Sequence, residues 1–202
     1  MIRGLVLAGG KSSRFGSDKA LALYDGVRFL ERAVLLLKTL DLKPVVVTRR
    51  GADHAFVDCT VIYDKLPDLG PLGGLYTAMT IFKDTAFLAL TCDMPALDPA
   101  VLKRLLDERD TTRELVFYSS AEGPAKPFPG VYEPSVLRAI RDKLKDNDLS
   151  MAGLFKQVAS KKTVDWKGDP NVFCNINTAE ELRMHAMHRP NSSNKFGNFR
   201  MS

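Results

Sequence analysis

The sequence is poor in the residues from which many active sites and small scaffolds are built. Its 202 residues include three cysteines, three histidines and one tryptophan. Cys59, Cys92 and Cys174 are odd in number, far apart and without a C-x-x-C pair. That excludes a disulfide framework and a zinc ribbon, and predicts reduced, mostly buried thiols. His54 has no partner in the sequence, and His185 and His188 lie three apart on one predicted helix without a third ligand, so no histidine metal site is expected. Apolar runs such as residues 33–37 and 86–90 are far too short to cross a bilayer. The opening Met1-Ile2-Arg3-Gly4 leads into no apolar stretch with a small-residue cleavage site. A cytoplasmic location and no membrane partner are therefore expected.

What is present is ordinary for a globular domain: 45% of residues are hydrophobic and 26% charged. The net charge of +5 includes Arg189, Lys195 and Arg200, which lie in residues 189–202 among no acidic residues; without those three it falls to +2. The basic excess is thus largely a property of the tail, and no nucleic-acid partner is expected. Pro190-Asn191-Ser192-Ser193-Asn194 is polar and helix-breaking, so one domain is expected over residues 1–188, followed by a disordered tail.

Along the chain, short β-rich runs alternate with longer amphipathic ones. Residues 2–8, 44–48, 59–63 and 85–91 read as strands. Residues 28–40 read as a helix with Phe29, Leu30, Ala33, Val34, Leu36, Leu37 and Leu40 on one stripe, and Glu31, Arg32 and Lys38 outside it. Helices follow at 74–82 and at 98–108, the latter capped by Asp98 with Pro99 at its first position. Such alternation implies a mostly parallel sheet with helices on both faces. Strands at 114–120 and 126–132 are close enough to form a hairpin. Helices at 134–145 and 149–159, strands at 163–166 and 172–177, and a last helix opening at Thr178 complete the reading. Thr178 and Glu181 have capping-box spacing.

The chemistry concentrates where strands end. Leu7-Ala8-Gly9-Gly10-Lys11-Ser12-Ser13-Arg14-Phe15-Gly16-Ser17-Asp18-Lys19 follows the first strand, at the carboxyl edge where open α/β sheets bind ligands. Glycines let backbone N–H groups approach phosphate oxygens, and Lys11, Arg14 and Lys19 supply compensating charge. The alternative is a glycine-rich turn with solvated cations. This is not a Walker A loop, because five residues rather than four separate Gly4 from Gly10-Lys11-Ser12, and Gly9, Gly10 and Gly16 do not spell G-x-G-x-x-G.

Thr91-Cys92-Asp93-Met94-Pro95 follows another strand, so Asp93 falls on the same edge and can hold Mg2+ against nucleotide phosphates. An N-cap or turn aspartate is the plainer alternative. Asp64 repeats that placement after residues 59–63. In Asp68-Leu69-Gly70-Pro71-Leu72-Gly73-Gly74-Leu75, Gly73 and Gly74 would admit something flat, such as a base, against the backbone just before a helix. A plain loop leading into the helix fits that stretch equally well. No Ser-His-Asp constellation and no interleaved aromatic and basic patch is evident.

Taken in order, these motifs resemble those of the molybdenum cofactor guanylyltransferases, a branch of the nucleotidyltransferase superfamily. The resemblance rests on Leu7-Ala8-Gly9-Gly10 through Asp18-Lys19, on Gly70 to Leu75, on Cys92-Asp93-Met94-Pro95, and on Asn175-Ile176-Asn177-Thr178 before Glu180-Glu181-Leu182. It implies a Rossmann-like three-layer α/β/α fold with a mostly parallel sheet and a β-hairpin insertion, as in nucleotide-diphospho-sugar transferases. It further implies that Leu7, Ala8, Gly9, Gly10 and Lys19 hold GTP, that Asp64 and Gly73 lie against it, and that Asp93 binds Mg2+. Asn175, Asn177 and Lys126-Pro127 would lie towards the pterin. The implied reaction moves GMP from GTP to the terminal phosphate of molybdenum–molybdopterin, with Arg14, Lys19 and Asp93 as catalytic groups. That phosphate is already anionic, so no general base is required. Cofactor carriers or recipient molybdoenzymes are the protein partners implied. Two departures stand out: Phe15 replaces the usual Met, and Thr48 stands where relatives often carry Asn. A cytidylyltransferase, a sugar-phosphate nucleotidyltransferase of the same fold, or a non-catalytic nucleotide-binding adaptor are the competing readings.

Overall fold

The computed structural model describes residues 1–9, 18–52, 54–66, 69–119, 126–146, 148 and 150–187. The expectations for Gly10, Lys11, Arg14, Phe15, His188 and the tail lie outside these residues. Within them the chain forms β1 (Ile2–Leu7), β2 (Leu23–Tyr24), β3 (Val27–Arg28), α1 (Phe29–Lys38), β4 (Pro44–Thr48), β5 (Thr60–Tyr63) and α2 (Gly70–Ile81). There follow β6 (Ala86–Thr91), α3 (Pro99–Asp107), β7 (Leu115–Tyr118), β8 (Gly130–Tyr132), α4 (Val136–Lys145), α5 (Met151–Gln157), β9 (Lys161–Val164) and α6 (Ala179–Met187).

Seven strands make one sheet in the order β5-β4-β1-β6-β8-β7-β9. All pairings are parallel except those of β8, which runs against both β6 and β7. The expected hairpin strands do pair with each other, but β8 lies between β6 and β7 as part of the main sheet. At the centre β1 is flanked by β4 and β6, with Leu5 opposite Val45 and Ala89. Side chains alternate along β1. A Cβ on Gly4 would strike Leu37 of α1 at 2.7 Å, whereas Leu7, three residues on, meets Gly74 of α2. Alternation therefore places α1 and α2 on opposite faces, which gives the three layers. Covered on both sides, β1, β4 and β6 read as almost unbroken apolar runs.

Several local expectations are corrected. The helix expected at 74–82 begins at Gly70, because Pro71 suits the first turn and the glycines pack inside it. Residues 172–177 form no strand: Asp169 accepts from the Asn171 N–H and starts a 3-10 turn over Pro170–Phe173. Arg32, expected on the polar side of α1, is buried, with Nε donating to the Pro95 carbonyl at 3.1 Å and its guanidinium over the Tyr24 ring. Only Cys92 of the three free thiols is fully buried; Cys59 and Cys174 are half-buried. The Asp98 cap is observed, its carboxylate accepting from the Ala100 N–H at 2.8 Å.

A second, smaller apolar cluster joins Tyr24, Phe29 and Ile176, with Leu182 of α6 packed against it. The Tyr24 hydroxyl lies 3.0 Å from Nδ1 of His185. Through these contacts the C-terminal part of the chain returns to the small β2–β3 ribbon and so to the carboxyl edge of the sheet.

Candidate active site

Lys19 opens a 3-10 turn, Lys19–Leu21, set by Asp18, whose Oδ1 accepts from the Ala20 N–H at 3.0 Å. From there its Nζ donates to Oδ2 of Asp93 at 3.0 Å and to Oδ1 of Asn177 at 2.9 Å. Asp93 stands two residues beyond β6. Its Oδ1 accepts from the Thr91 hydroxyl at 2.5 Å, and its main-chain carbonyl accepts from the Ile176 N–H at 2.9 Å. The adjoining Cys92 N–H donates to the Leu7 carbonyl, which ties this turn to the end of β1. Residues far apart in sequence thus meet at the edge of the two central strands, where a parallel α/β sheet offers its crevice.

The Lys19 and Asp93 side chains retain only 13% and 19% of their exposure. At such partial shielding a cation and a carboxylate interact more strongly than in bulk water, and the residual exposure leaves Lys19 open to an anionic ligand and Asp93 to a cation. Asn177 sits where the extended segment after the 3-10 turn enters α6. That entry is held by one half of a capping box, the Glu181 N–H donating to the Thr178 hydroxyl at 3.0 Å, while the Glu181 carboxylate reaches one residue past the cap and accepts from the Asn177 N–H at 2.5 Å. Asn175 is exposed two residues earlier and takes no part in this network.

The remaining predicted residues fall into a neighbouring group. Leu7 is buried beneath Gly74, while the Ala8 N–H donates to the Val47 carbonyl at 2.9 Å. Gly9 is exposed beside the end of β4, its Cβ position 3.8 Å from the Arg49 backbone nitrogen. Asp64 follows β5 and receives hydrogen bonds at Oδ1 from the Leu66 N–H and the Thr77 hydroxyl, each 2.9 Å. Gly73 is buried in the first turns of α2, where a Cβ would lie 2.7 Å from the Leu66 carbonyl and 3.1 Å from Oδ2 of Asp64. Asp64 and Asp93 therefore belong to separate networks. Lys126 places its ammonium over the Phe173 ring, 5.3 Å from the centroid.

Sequence reasoning missed three features here. Thr91 has no role in it, although a hydroxyl two residues before an aspartate is a possible partner. His54, for which the sequence offers no metal-binding partner, is buried with Nε2 3.0 Å from the hydroxyl of Thr48, a contact the sequence does not announce. Arg49, exposed just after β4, brings Nη2 to 3.8 Å from Oδ2 of Asp18 and adds a cation to this edge. Burial, reinforced by the charge of Asp93, pushes the Cys92 thiol up to about 12, so it supplies no thiolate nucleophile at neutral pH. Among the described residues no group of three or more His, Cys, Asp or Glu could hold a metal by itself. A single accessible carboxylate of this kind suits Mg2+, which completes its shell with phosphate oxygens and water.

Residues 4–162 match the family model described as the MobA-like NTP transferase domain. Probable molybdenum cofactor guanylyltransferases of Geobacillus sp. and Methanothermobacter thermautotrophicus are each 32% identical to this chain, covering 89% of it and 95% and 96% of their own lengths. Among solved structures, molybdopterin-guanine dinucleotide biosynthesis protein A from Archaeoglobus fulgidus superposes with a TM-score of 0.75 at 19% identity, over 93% of this chain and 97% of its own. A protein from Aquifex aeolicus gives a TM-score of 0.73 at 26% identity, over 87% and 93% of the two chains.

Proposed function

The chain belongs to the MobA-like NTP transferase family, and from that premise we propose that it transfers GMP from GTP to the terminal phosphate of molybdenum–molybdopterin, releasing pyrophosphate. The observation that carries this reading is the junction of Lys19, Asp93 and Asn177. It joins the segment that follows the glycine-rich loop to the C-terminal segment, so two anionic substrates can be held on either side of one shielded cation. The names of relatives at 32% identity over nearly their whole lengths support the choice of substrates.

The acceptor phosphate is an anion at neutral pH. One of its oxygens attacks the α-phosphorus of GTP, the bond from that phosphorus to the β-bridging oxygen breaks, and the electron pair leaves with pyrophosphate. No proton has to be removed from the nucleophile, which agrees with a network of Lys, Asp, Asn and Thr. Lys19 neutralises charge on the transferring phosphate, and Arg14 assists it. The backbone of Leu7, Ala8, Gly9 and Gly10 cradles the nucleotide, with Asp64 and Gly73 along its side. Asn175 and Asn177 orient the pterin substrate. Asp93 would hold Mg2+, which when bound supplies further charge neutralisation on the phosphates. Among the described residues no helix is long and apolar enough to cross a membrane.

The direct test offers GTP, CTP, UTP and ATP in turn, with molybdenum–molybdopterin and, separately, a sugar phosphate as acceptor, and measures pyrophosphate release. Preferred turnover of GTP is expected. Preference for CTP would make the chain a cytidylyltransferase, turnover only with a sugar phosphate would move it to another branch, and no release with any nucleotide would leave a binding adaptor.

A further inference from the structure

Thr91 ends β6 half-buried, and the site as described so far gives it no task in the reaction. Yet the two oxygens of Asp93 have different neighbours because of it. Oδ1 accepts from the Thr91 hydroxyl at 2.5 Å, a donor fixed to the end of a central strand. Oδ2 accepts from Lys19 at 3.0 Å, a donor on a flexible four-carbon stem that is also shared with Asn177. The main chain of Asp93 is held separately by the Ile176 N–H. The carboxylate therefore has one oxygen engaged by a local, rigid partner and one whose partner can be exchanged.

We propose that Thr91 is a positioning residue that makes Asp93 a one-oxygen ligand, through Oδ2, and so biases the site towards Mg2+ over Ca2+. Mg2+ requires near-octahedral geometry and usually takes one or two carboxylates with several waters, whereas Ca2+ accepts carboxylates that bind through both oxygens. Holding Oδ1 by a hydroxyl disfavours the second arrangement. The inference rests on the reading of Asp93 as the cation ligand. Its rival is that Thr91 merely stabilises the turn after β6, which would leave metal preference untouched.

The test uses the full chain with GTP, read against the same GTP without protein because the nucleotide itself binds divalent cations, and follows Mn2+ binding by the electron paramagnetic resonance of the free ion, with Mg2+ and Ca2+ as competitors. Thr91→Ser keeps the hydroxyl and should match the parent. Thr91→Val is expected to lower the ratio of Mg2+ to Ca2+ affinity by about tenfold, the lower end of the effects seen for residues that orient metal ligands. Thr91→Ala removes the same hydroxyl without a replacement methyl and carries the same expectation should the valine variant fail to fold. Asp93→Asn separates the two readings. Loss of Mn2+ binding in Asp93→Asn together with a parental Mg2+ to Ca2+ ratio in Thr91→Val or Thr91→Ala would overturn the role of Thr91 and spare that of Asp93. Parental Mn2+ binding in Asp93→Asn would overturn both.

Discussion

Lys19 concentrates the residue-level argument. Its Nζ reaches two oxygens, on Asp93 and Asn177, within 3.0 Å, and such a convergent position suits a compact ammonium better than a planar fork. If its charge acts mainly on the transferring phosphate, Lys19→Ala should lower kcat/KM for GTP by roughly 30- to 1000-fold, corresponding to about 2–4 kcal/mol. Lys19→Arg should restore little of it. Lys11→Ala should cost much less, and equal losses at both positions would indicate a diffuse basic patch instead of a defined phosphate site. Steady-state kinetics on the three variants decides between them. Cys92, directly beside this cluster, stays protonated at neutral pH because of its burial, so thiol chemistry offers no competing explanation.

At the scale of elements, the sequence was legible where local preference and tertiary packing agree. The apolar runs of β1, β4 and β6 and the Asp98-Pro99 start of α3 are such cases. Reading failed where packing overrides propensity. Gly70, Pro71 and Gly73 look like a loop because glycine is costly in a helix, yet α2 begins at Gly70 and lies close to its neighbours at Gly73 and Gly74. Asp25-Gly26, with positive φ at both residues, is a two-residue hairpin turn joining β2 and β3 that the strand reading passed over, because each strand has only two residues. The site divides in the same way. Lys19 and Asp93 are visible as motif residues, but Thr48 with His54, and Asp64 with Thr77, are partnerships that only the folded chain creates. For Gly73 the close neighbour is the backbone carbonyl of Leu66, which cannot rotate aside, whereas for Gly74 it is a terminal methyl of Leu7. Gly73→Ala should therefore destabilise by about 1–3 kcal/mol, as overpacked sites do, and Gly74→Ala by less. Thermal unfolding would register roughly 2–4 °C per kcal/mol for a chain of this size. A Gly73→Ala melting temperature equal to the parent would contradict the described packing of α2.

On the scale of the whole molecule, the fold brings an early segment and a late one to the same edge of the sheet. Lys19 meets Asn177, Asp93 meets Ile176, and Tyr24 meets His185 of α6. Residues up to α6 are therefore expected to contribute to the site, although α6 contacts no substrate in the proposed reaction. The last side chains along the chain with described roles are Leu182, on the Tyr24–Phe29–Ile176 cluster, and His185 on Tyr24. We propose that the folded domain closes there and that residues 189–202 add charge alone. Their removal takes away three of the positive charges and leaves +2. It should leave both the melting temperature and kcat/KM for GTP at parental values. A cut before residue 178 is the informative contrast: it removes α6 and the Glu181 contact that holds the Asn177 backbone, and should lower both quantities. A fall in either quantity on removing residues 189–202 alone would show that Phe196 or Phe199 packs on the domain, and the boundary would then have to move to the end of the chain.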